Sequence, residues 1–167
     1  YYIKMTDAFA ELDPKHRVKW IGPDMSVRSS ITARLMETWA HGLAIYDALG
    51  VVRQDADRIK NIVVLGINTF NWSFQVKGQT PPGQLPFIEL AAPSGEIWQF
   101  GEPNDVSAVS GTASDFCQVV TQTRNISDTN LKLIGPVAEA WMSHAQCFAG
   151  PPETPPEENT RFTKALA

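Results

Sequence analysis

The sequence predicts an α+β fold, in which a helical-bundle portion precedes a small α+β domain. Apolar residues recur at helical spacing through residues 1–71, and from residue 72 they alternate with polar residues in short segments. Stretches rich in Pro and Gly separate these segments. We therefore predict a bundle portion over 1–71, an α+β domain over 72–152 and a Pro/Glu-rich, extended or mobile tail over 153–167.

The first two helices follow from apolar spacing and stop signals. Residues 1–12 are typical of the end of a helix that Asp13-Pro14 stops, and a loop follows over 13–25. A long helix is predicted over 26–49, with Ser26 or Ser29 as its N-cap and Gly50 as its terminal glycine. Apolar residues surround most of this helix, so we expect it to pack inside a bundle.

The later elements follow from the same periodicities. A helix over 55–71 begins at Asp55, whose side chain can cap it, and the alternation of Trp72, Phe74 and Val76 indicates a strand. The remaining predicted elements are an irregular stretch over 79–86, a hairpin of Phe87–Ala91 and Ile97–Phe100, a helix over 112–123, a strand at Leu131–Ile134 and a helix from Gly135-Pro136 to Gly150.

Composition limits the class of protein. The chain has 167 residues, 43% hydrophobic and 19% charged, which is typical of a folded domain. Its net charge of −4 argues against a nucleic-acid partner, because phosphate binding requires a basic surface. No apolar run approaches the ~20 residues that span a bilayer, and no signal-peptide pattern is seen. The two cysteines are too few for a disulfide scaffold, so we expect a cytoplasmic protein without membrane contact.

The chemistry of the sequence concentrates at Glu37 and His41 in the long helix. Side chains four residues apart on a helix point the same way, about 5–6 Å apart at Cβ, and such a carboxylate and imidazole can share one divalent ion. Their neighbours are mostly apolar, so we expect both side chains to be held away from water. An exposed ion pair or a satisfied core hydrogen bond would explain the same spacing.

Other polar and nucleophilic side chains have structural interpretations. Arg34 is a candidate for orienting Glu37 or binding an anionic substrate, with an ordinary salt bridge as the alternative. His16 is interpreted as a solvated loop residue and His144 as a core or domain-contact histidine. Two cysteines, Cys117 and Cys147, are expected to pack in the core in apolar helical contexts. At the end of the 112–123 helix, Arg124 and Asn125 are interpreted as a polar helix end, with binding of an anionic group as the alternative.

Three stretches of the sequence carry a family resemblance. The run ARLMETWAHG over 33–42, with GP-x-MS before it and DALGV after it, resembles the metal-binding helix of the DinB-like family. The most similar members are the actinobacterial ones grouped with mycothiol-dependent maleylpyruvate isomerase. The runs DFCQVVTQTRN, LIGPVAEAW and AQCFAGPP resemble the C-terminal α+β domain of the same proteins. The resemblance covers about residues 7–152.

The resemblance implies a metal site. Members of that family hold one divalent ion in a four-helix bundle through three residues, and two of these correspond to Glu37 and His41. The third, a histidine of an earlier helix, has no counterpart in this chain, which opens at Tyr1. We expect it on N-terminal helices that a companion chain or a longer form of this chain supplies. Relatives often continue the helix as HG-x-D, whereas Ala44 stands at the Asp position here, and this departure bears on the isomerase chemistry.

The resemblance also implies an activity. It indicates a metal-dependent, thiol-using transferase or isomerase that takes a small-molecule substrate, with zinc, nickel or iron as the ion and mycothiol as the thiol. Three protein ligands leave a position open for substrate or thiol, as in catalytic zinc sites. A non-catalytic subunit of a hetero-oligomer that keeps the bundle fold is the alternative, and a hydrolase using metal-activated water is a third hypothesis.

Overall fold

A computed structural model describes residues 2–19 and 24–161. It is 43% helical and 14% strand, which confirms an α+β fold. In chain order, the elements are α1 (Tyr2–Ala10), β1 (Arg17–Val18), β2 (Met25–Ser26), α2 (Val27–Leu49), α3 (Lys60–Asn68), α4 (Phe70–Gln75), β3 (Phe87–Ala91), β4 (Ile97–Phe100), β5 (Ala108–Thr112), α5 (Ala113–Val120), β6 (Lys132–Ile134) and α6 (Pro136–Met142). Part of the predicted loop, residues 20–23, lies outside the described residues.

The long helix α2 begins and ends where its capping residues predict. Ser26 is the N-cap, and its hydroxyl oxygen accepts the backbone N–H of Ser29 at 3.1 Å. Gly50 follows the last turn with a φ of 64°, in the left-handed region that favours glycine. Before α2, the predicted loop contains a short antiparallel ribbon in which β1 pairs with β2.

The prediction that α2 is enclosed on most sides was wrong for the described part of the chain. Met36, Trp39 and Leu43 are buried, whereas Ile31, Ile45 and Leu49 are 44%, 63% and 54% exposed. The exposed set recurs at helical spacing on the side away from the buried set. We call Ile31, Ile45 and Leu49 the outer face of α2. The apolar residues around α2 therefore divide into a packed stripe and a face without a described neighbour.

The segment after α2 departs from the prediction at the start of its helix. Residues Asp57–Ile59 form a 3₁₀ turn, and the α-helix begins at Lys60. Asp55 does not cap it, because the Asp55 carboxylate accepts hydrogen bonds from the side chains of Trp39, Arg53 and Ser114, which are described with the site below.

The strand predicted at Trp72, Phe74 and Val76 was also wrong, since this segment belongs to α4. Alternating apolar residues imitate a strand here. Phe70 and Phe74 are both buried at a spacing of four residues, which is the helical period, whereas Trp72 points toward the surface. Their rings pack edge to face with centroids 5.4 Å apart. Burial of two phenylalanines on one helical face thus makes this segment a helix and not a strand.

A four-stranded sheet has the order β4-β3-β5-β6. The β3–β4 hairpin has the predicted bounds and pairs antiparallel. Strand β5 was not predicted, since its sequence AVSGT lacks bulky alternating side chains; it pairs parallel with β3 and antiparallel with β6. Strand β6 confirms the predicted strand, with its first residue at Lys132.

The last helix is shorter than predicted. α6 ends at Met142 instead of continuing to Gly150, because the chain turns back to α5, where the backbone N–H of Cys147 donates to the Val120 carbonyl at 2.9 Å. Cys147 therefore lies outside a helix, contrary to the expected helical context. Beyond it, residues 151–161 have no regular helix or strand but are held by the domain. The Glu153 N–H donates to Gln146 Oε1 at 3.0 Å, and Asn125 Nδ2 donates to the Pro156 carbonyl at 2.8 Å.

One apolar core joins the two predicted portions. Trp39 of α2, Ile62 of α3, Phe116 of α5 and Trp141 of α6 all belong to it, together with the inner face of the sheet. Gly66 lets α3 approach α5 closely, because a Cβ at this position would lie 2.9 Å from a methyl carbon of Val120. The core therefore fixes α2 relative to α5. No helix of the described segments is long and apolar enough to cross a membrane.

Candidate functional site

Glu37 and His41 lie one turn apart on α2 and contact each other. His41 Nε2 is 3.1 Å from Glu37 Oε2, and the two side chains are 84% and 52% exposed, respectively. The expectation that they are held away from water was wrong. Their apolar sequence neighbours Met36, Ala40 and Leu43 turn to the buried side of the helix. The pair lies instead on the solvent side.

The geometry of this pair suits two ligands of one ion. Donors bound to a tetrahedral zinc at about 2.1 Å lie roughly 3.4 Å apart, close to the separation of Glu37 Oε2 and His41 Nε2. Within residues 2–19 and 24–161, no group of three or more His, Cys, Asp or Glu side chains could hold a metal ion. The described residues thus offer these two donors to a shared ion, and any further ligand would have to come from outside the described residues.

A groove of about 640 Å³ begins beside this pair. Its α2 side carries Glu37, His41 and Ala44, and its opposite side is formed by the segment after α5 and by the end of the described tail. The lining residues are Met36, Glu37, Ala40, His41, Leu43, Ala44, Asp47, Thr121, Gln122, Thr123, Arg124, Phe148, Thr160 and Arg161.

An ion pair ties α2 to the far side of this groove. Arg124 Nη2 donates to Asp47 Oδ1 at 2.5 Å, and Arg124 Nη1 donates to the Thr123 carbonyl at 2.8 Å. The Arg124 and Asp47 side chains are 8% and 17% exposed. Arg124 does follow α5, as predicted, but its charge is engaged in a buried interaction between segments instead of serving a surface helix end.

The turn that carries Arg124 is held in an uncommon conformation. Gln122 has a φ of 54°, which lies in the left-handed region that L-residues rarely adopt. Its side-chain nitrogen donates to the Ala145 carbonyl at 3.1 Å. This contact with the segment after α6 secures the turn, so the far side of the groove is set by the fold.

A second buried network holds α2 from its other side. Asp55 Oδ1 accepts the indole N–H of Trp39 at 2.8 Å and Arg53 Nε at 3.1 Å, and Asp55 Oδ2 accepts the Ser114 hydroxyl at 2.7 Å. The Arg53 guanidinium lies 4.0 Å from the Trp39 ring centroid, a cation–π contact. Because these contacts join α2, the 51–56 segment and α5, they fix the rotation of α2 and hence the direction of Glu37 and His41.

The other predicted candidates lie apart from the pair. His16 is exposed, as predicted, and its carbonyl accepts the N–H of Val27 at the start of α2. Glu37 is ten residues farther along that helix, or about 15 Å at the α-helical rise. His144 contacts the Phe74 ring at a centroid distance of 4.8 Å, and burial lowers its pKa, with the Lys77 charge acting in the same direction. Arg34 is exposed on α2, and its predicted roles stay predictions.

Both cysteines are buried, which confirms their assignment to the core. Burial raises the pKa of the Cys117 thiol well above its usual range, and the Cys147 thiol and Asp55 carboxylate act in the same direction. Burial also raises the pKa of Cys147, and the Glu37 charge adds to the rise. A reactive cysteine needs an accessible thiolate, so neither thiol has the character of a nucleophile.

Sequence reasoning missed Asp47, Arg53 and Arg161. Asp47 pairs with Arg124, which is 77 residues away, whereas Arg53 pairs with Asp55 two residues away and also lies over the Trp39 ring. Arg161 belongs to the Pro/Glu-rich tail, whose composition suggested no place in a site, yet it lines the groove. A signal was available for Asp47, since an acidic residue near a helix C-terminus is unfavourable with the helix dipole and calls for a compensating cation.

Comparison with known proteins gives a family match for the first part of the chain and two similar proteins. Residues 2–46 match the model of the mycothiol maleylpyruvate isomerase N-terminal domain, which confirms the resemblance to that family. An uncharacterized protein of Mycobacterium tuberculosis strain CDC 1551 / Oshkosh is 46% identical over 136 residues, which are 81% of this chain and 53% of that protein. An uncharacterized protein of strain ATCC 25618 / H37Rv matches to the same extent. This chain spans about half the length of the curated relatives it matches. No solved structure matches it.

Proposed function

We propose, from the match of residues 2–46 to the model of the mycothiol maleylpyruvate isomerase N-terminal domain, that this protein is a metal-dependent, thiol-using transferase or isomerase. Glu37 and His41 bind a divalent ion, and a histidine from outside this chain is the third ligand. Zinc is the expected ion, with nickel or iron as alternatives, and mycothiol is the expected thiol. The single observation that carries the proposal is the 3.1 Å approach of His41 Nε2 to Glu37 Oε2 on the open side of α2.

The outer face of α2 supports a third ligand from another segment. Ile31, Ile45 and Leu49 are exposed on the solvent side of the helix that carries His41. A helix packed on these residues would bury apolar surface, a favourable change of about 25 cal/mol per Å². It would also bring its own side chains next to Glu37 and His41. Helices from a companion chain or a longer form of this chain, completing a four-helix bundle, are therefore part of the proposal.

Each residue of the pair has a separate role. Glu37 supplies a negative charge that offsets the charge of the ion, and His41 must keep Nε2 unprotonated to act as a ligand. When bound, the ion would lower the pKa of a thiol or polarise a carbonyl. Arg34, one turn before Glu37, orients the carboxylate or receives an anionic substrate. Ala44 leaves the next turn without a carboxylate, so this chain lacks an acid or base at that position.

A non-catalytic subunit is the second candidate. The same outer face favours it, since a bundle can form on Ile31, Ile45 and Leu49 with or without an ion. In either case the two cysteines are free and buried, which suits a reducing compartment, and we propose a cytoplasmic location. We also propose a small-molecule partner and no nucleic-acid or membrane partner.

Metal analysis tests the proposal. Zinc titration of the purified protein, monitored by calorimetry, should show one site. Either His41→Ala or Glu37→Gln should weaken zinc binding by at least about 10- to 100-fold, since this loss is typical even when a residue that only hydrogen-bonds a metal ligand is removed. His16→Ala is the matched control, since it removes an exposed loop histidine, and it should leave zinc affinity unchanged. Equal zinc binding by wild type and both pair variants would contradict the proposal, as would a folded protein that binds no zinc, nickel or iron once the segment with the third histidine is present. The latter result would favour the subunit.

A further inference from the structure

The two faces of the four-stranded sheet differ in burial. Side chains alternate between the faces of a strand, and Ile88, Leu90 and Val109, which are fully buried, lie on the inner face against the core. The residues between them point to the opposite side, which we call the open face of the sheet. Its members are Phe87, Glu89 and Ala91 of β3, Ile97 and Gln99 of β4, Ala108, Ser110 and Thr112 of β5, and Lys132 and Ile134 of β6.

The strand register arranges the open face in rows that run across the strands. A polar row crosses all four strands from β4 to β6 and consists of Gln99, Glu89, Ser110 and Lys132. An apolar row lies beside it at one end of the sheet and consists of Phe87, Ala108 and Ile134. Side chains directly opposite each other on neighbouring strands are close enough to act together, so each row is one surface feature.

Large aliphatic side chains are exposed on and beside the open face. Ile97 is 59% exposed and Ile134 is 44% exposed. Val106, two residues before Ala108 at the apolar end of the sheet, is 71% exposed. Its carbonyl oxygen is next to β6, because a Cβ at Gly135 would lie 2.2 Å from it. Removal of this apolar surface from water would be favourable, so the open face has the composition of a surface that another protein covers.

The polar row carries one acidic and one basic side chain that do not pair with each other. Glu89 and Lys132 are two strands apart, about 10 Å at the usual strand spacing. The ion pairs within residues 2–19 and 24–161 include neither of them. Glu89 Oε2 accepts a hydrogen bond from Gln99 Nε2 at 2.7 Å. With Ser110 between the two charges, the row is complementary to a reversed copy of itself.

We propose that a second copy of this chain covers the open face, in a dimer whose twofold axis runs parallel to the strands above β5. Rotation about this axis reverses the order of the strands and keeps the rows aligned. Glu89 of each copy then faces Lys132 of the other copy, and Ser110 lies opposite itself. The dimer therefore gains two equivalent ion pairs from a row that forms none within one chain.

The same rotation matches the apolar row. Phe87 of each copy faces Ile134 of the other copy, and Ala108 lies opposite itself. The residues of β5 on the axis, Ala108, Ser110 and Thr112, are small, so the two sheets can approach closely there. Sheets packed face to face usually keep their strands within about 30° of each other, which agrees with an axis parallel to the strands. The open face thus fits the self-complementary patch that a twofold dimer requires.

Sedimentation equilibrium of the whole chain, from micromolar to submillimolar concentration, tests the dimer. Four short strands give an interface at the small end of the specific range, roughly 1,200 Å² in total, so we expect a dissociation constant on the order of micromolar. Glu89→Lys and Lys132→Glu should each weaken the dimer by at least about 10-fold, because each change places like charges at both contacts.

A mixture of these two variants tests the pairing itself. Each variant alone opposes like charges, whereas an equimolar mixture of Glu89→Lys and Lys132→Glu restores opposite charges at both contacts and should dimerise again. The double variant Glu89→Lys/Lys132→Glu should also regain most of the wild-type affinity. A variant that only damages the fold would not be rescued by mixing, and circular dichroism checks that each variant is folded.

Two control variants locate the interface. Arg58→Glu reverses a charge at an exposed position outside the sheet, and Ile45→Lys changes the outer face of α2. Both should leave the dissociation constant within about twofold of wild type, because neither residue is on the open face. Three results would overturn the proposal: a wild type that stays monomeric, a dimer that persists in both single charge reversals, or a dimer lost in Ile45→Lys. Failure of the mixed variants to associate would contradict the pairing of Glu89 with Lys132. The contact involves neither Glu37 nor His41, so these outcomes are independent of zinc binding.

Discussion

Two acid–base pairs on α2 differ in almost every respect. Glu37 and His41 are four residues apart, belong to one helix, and are 52% and 84% exposed. Asp47 lies only six residues beyond His41, but its partner Arg124 comes from another segment and the pair is buried. Exposed pairs within a helix contribute about 0.3–0.5 kcal/mol, whereas removing one partner of a buried pair is strongly destabilising. The middle of α2 therefore presents an exposed pair to solvent, and its C-terminal end is tied to the rest of the fold.

The network around Asp55 extends this comparison to the far side of α2. Asp55 and Arg53 have side chains that are 9% and 10% exposed, and Asp55 also holds Trp39 and Ser114. Arg53 Nη1 also donates to the Trp39 carbonyl at 2.6 Å, whereas Arg53 Nη2 is buried without a hydrogen-bond partner among the described residues. The contacts that are made join α2, the 51–56 segment and α5. The direction of Glu37 and His41 thus depends on residues that do not touch them.

The largest effect is expected from Asp55→Ala. This change leaves Arg53 Nε and the Trp39 indole N–H without their acceptor, so the free energy of unfolding should fall by about 3–5 kcal/mol. Urea denaturation followed by circular dichroism measures the loss. Asp55→Asn keeps the side-chain size and one oxygen acceptor and should lose less. Equal stability of Asp55→Ala and wild type would show that this network does not anchor α2.

A smaller effect is expected from Arg124→Ala. It removes the Arg124 guanidinium from Asp47, which can regain some hydration, so the free energy of unfolding should fall by about 2–3 kcal/mol. The double variant Asp47→Ala/Arg124→Ala should lose less than the sum of the two single variants, because the pair is directly coupled. Strict additivity in urea denaturation would contradict a coupled pair.

The smallest effect is expected from Glu37→Gln and His41→Ala. Their side chains are exposed and their interaction is within one helix, so the free energy of unfolding should change by no more than about 0.5 kcal/mol. The same variants are expected to lose zinc binding, so the two measurements separate metal binding from stability in the middle of α2. A loss of stability comparable to that of Arg124→Ala would remove the contrast between the two pairs.

Local signals predicted a good part of the fold. The Ser26 cap and Gly50 set both ends of α2, and the Pro93-Ser94-Gly95 turn between two alternating segments set the β3–β4 hairpin. The prediction failed where tertiary burial decided the outcome. The segment around Trp72 has strand alternation, but burial of Phe70 and Phe74 makes it helical.

Half of the candidate site could be predicted in the same way. Spacing on a helix brings Glu37 and His41 together whatever the rest of the chain does, and the family resemblance gives the pair a chemical meaning. The groove could not be predicted, because Arg161 and the Thr121–Arg124 turn reach α2 through contacts far apart in sequence.

The sequence by itself determined α2, its caps and the contact between Glu37 and His41, because helix geometry and capping depend on residues a few positions apart. Tertiary structure alone decided which side of α2 is buried, because burial depends on which distant segments pack against it. It turned the apolar residues beside Glu37 and His41 into the core and left the two side chains in solvent, next to a groove.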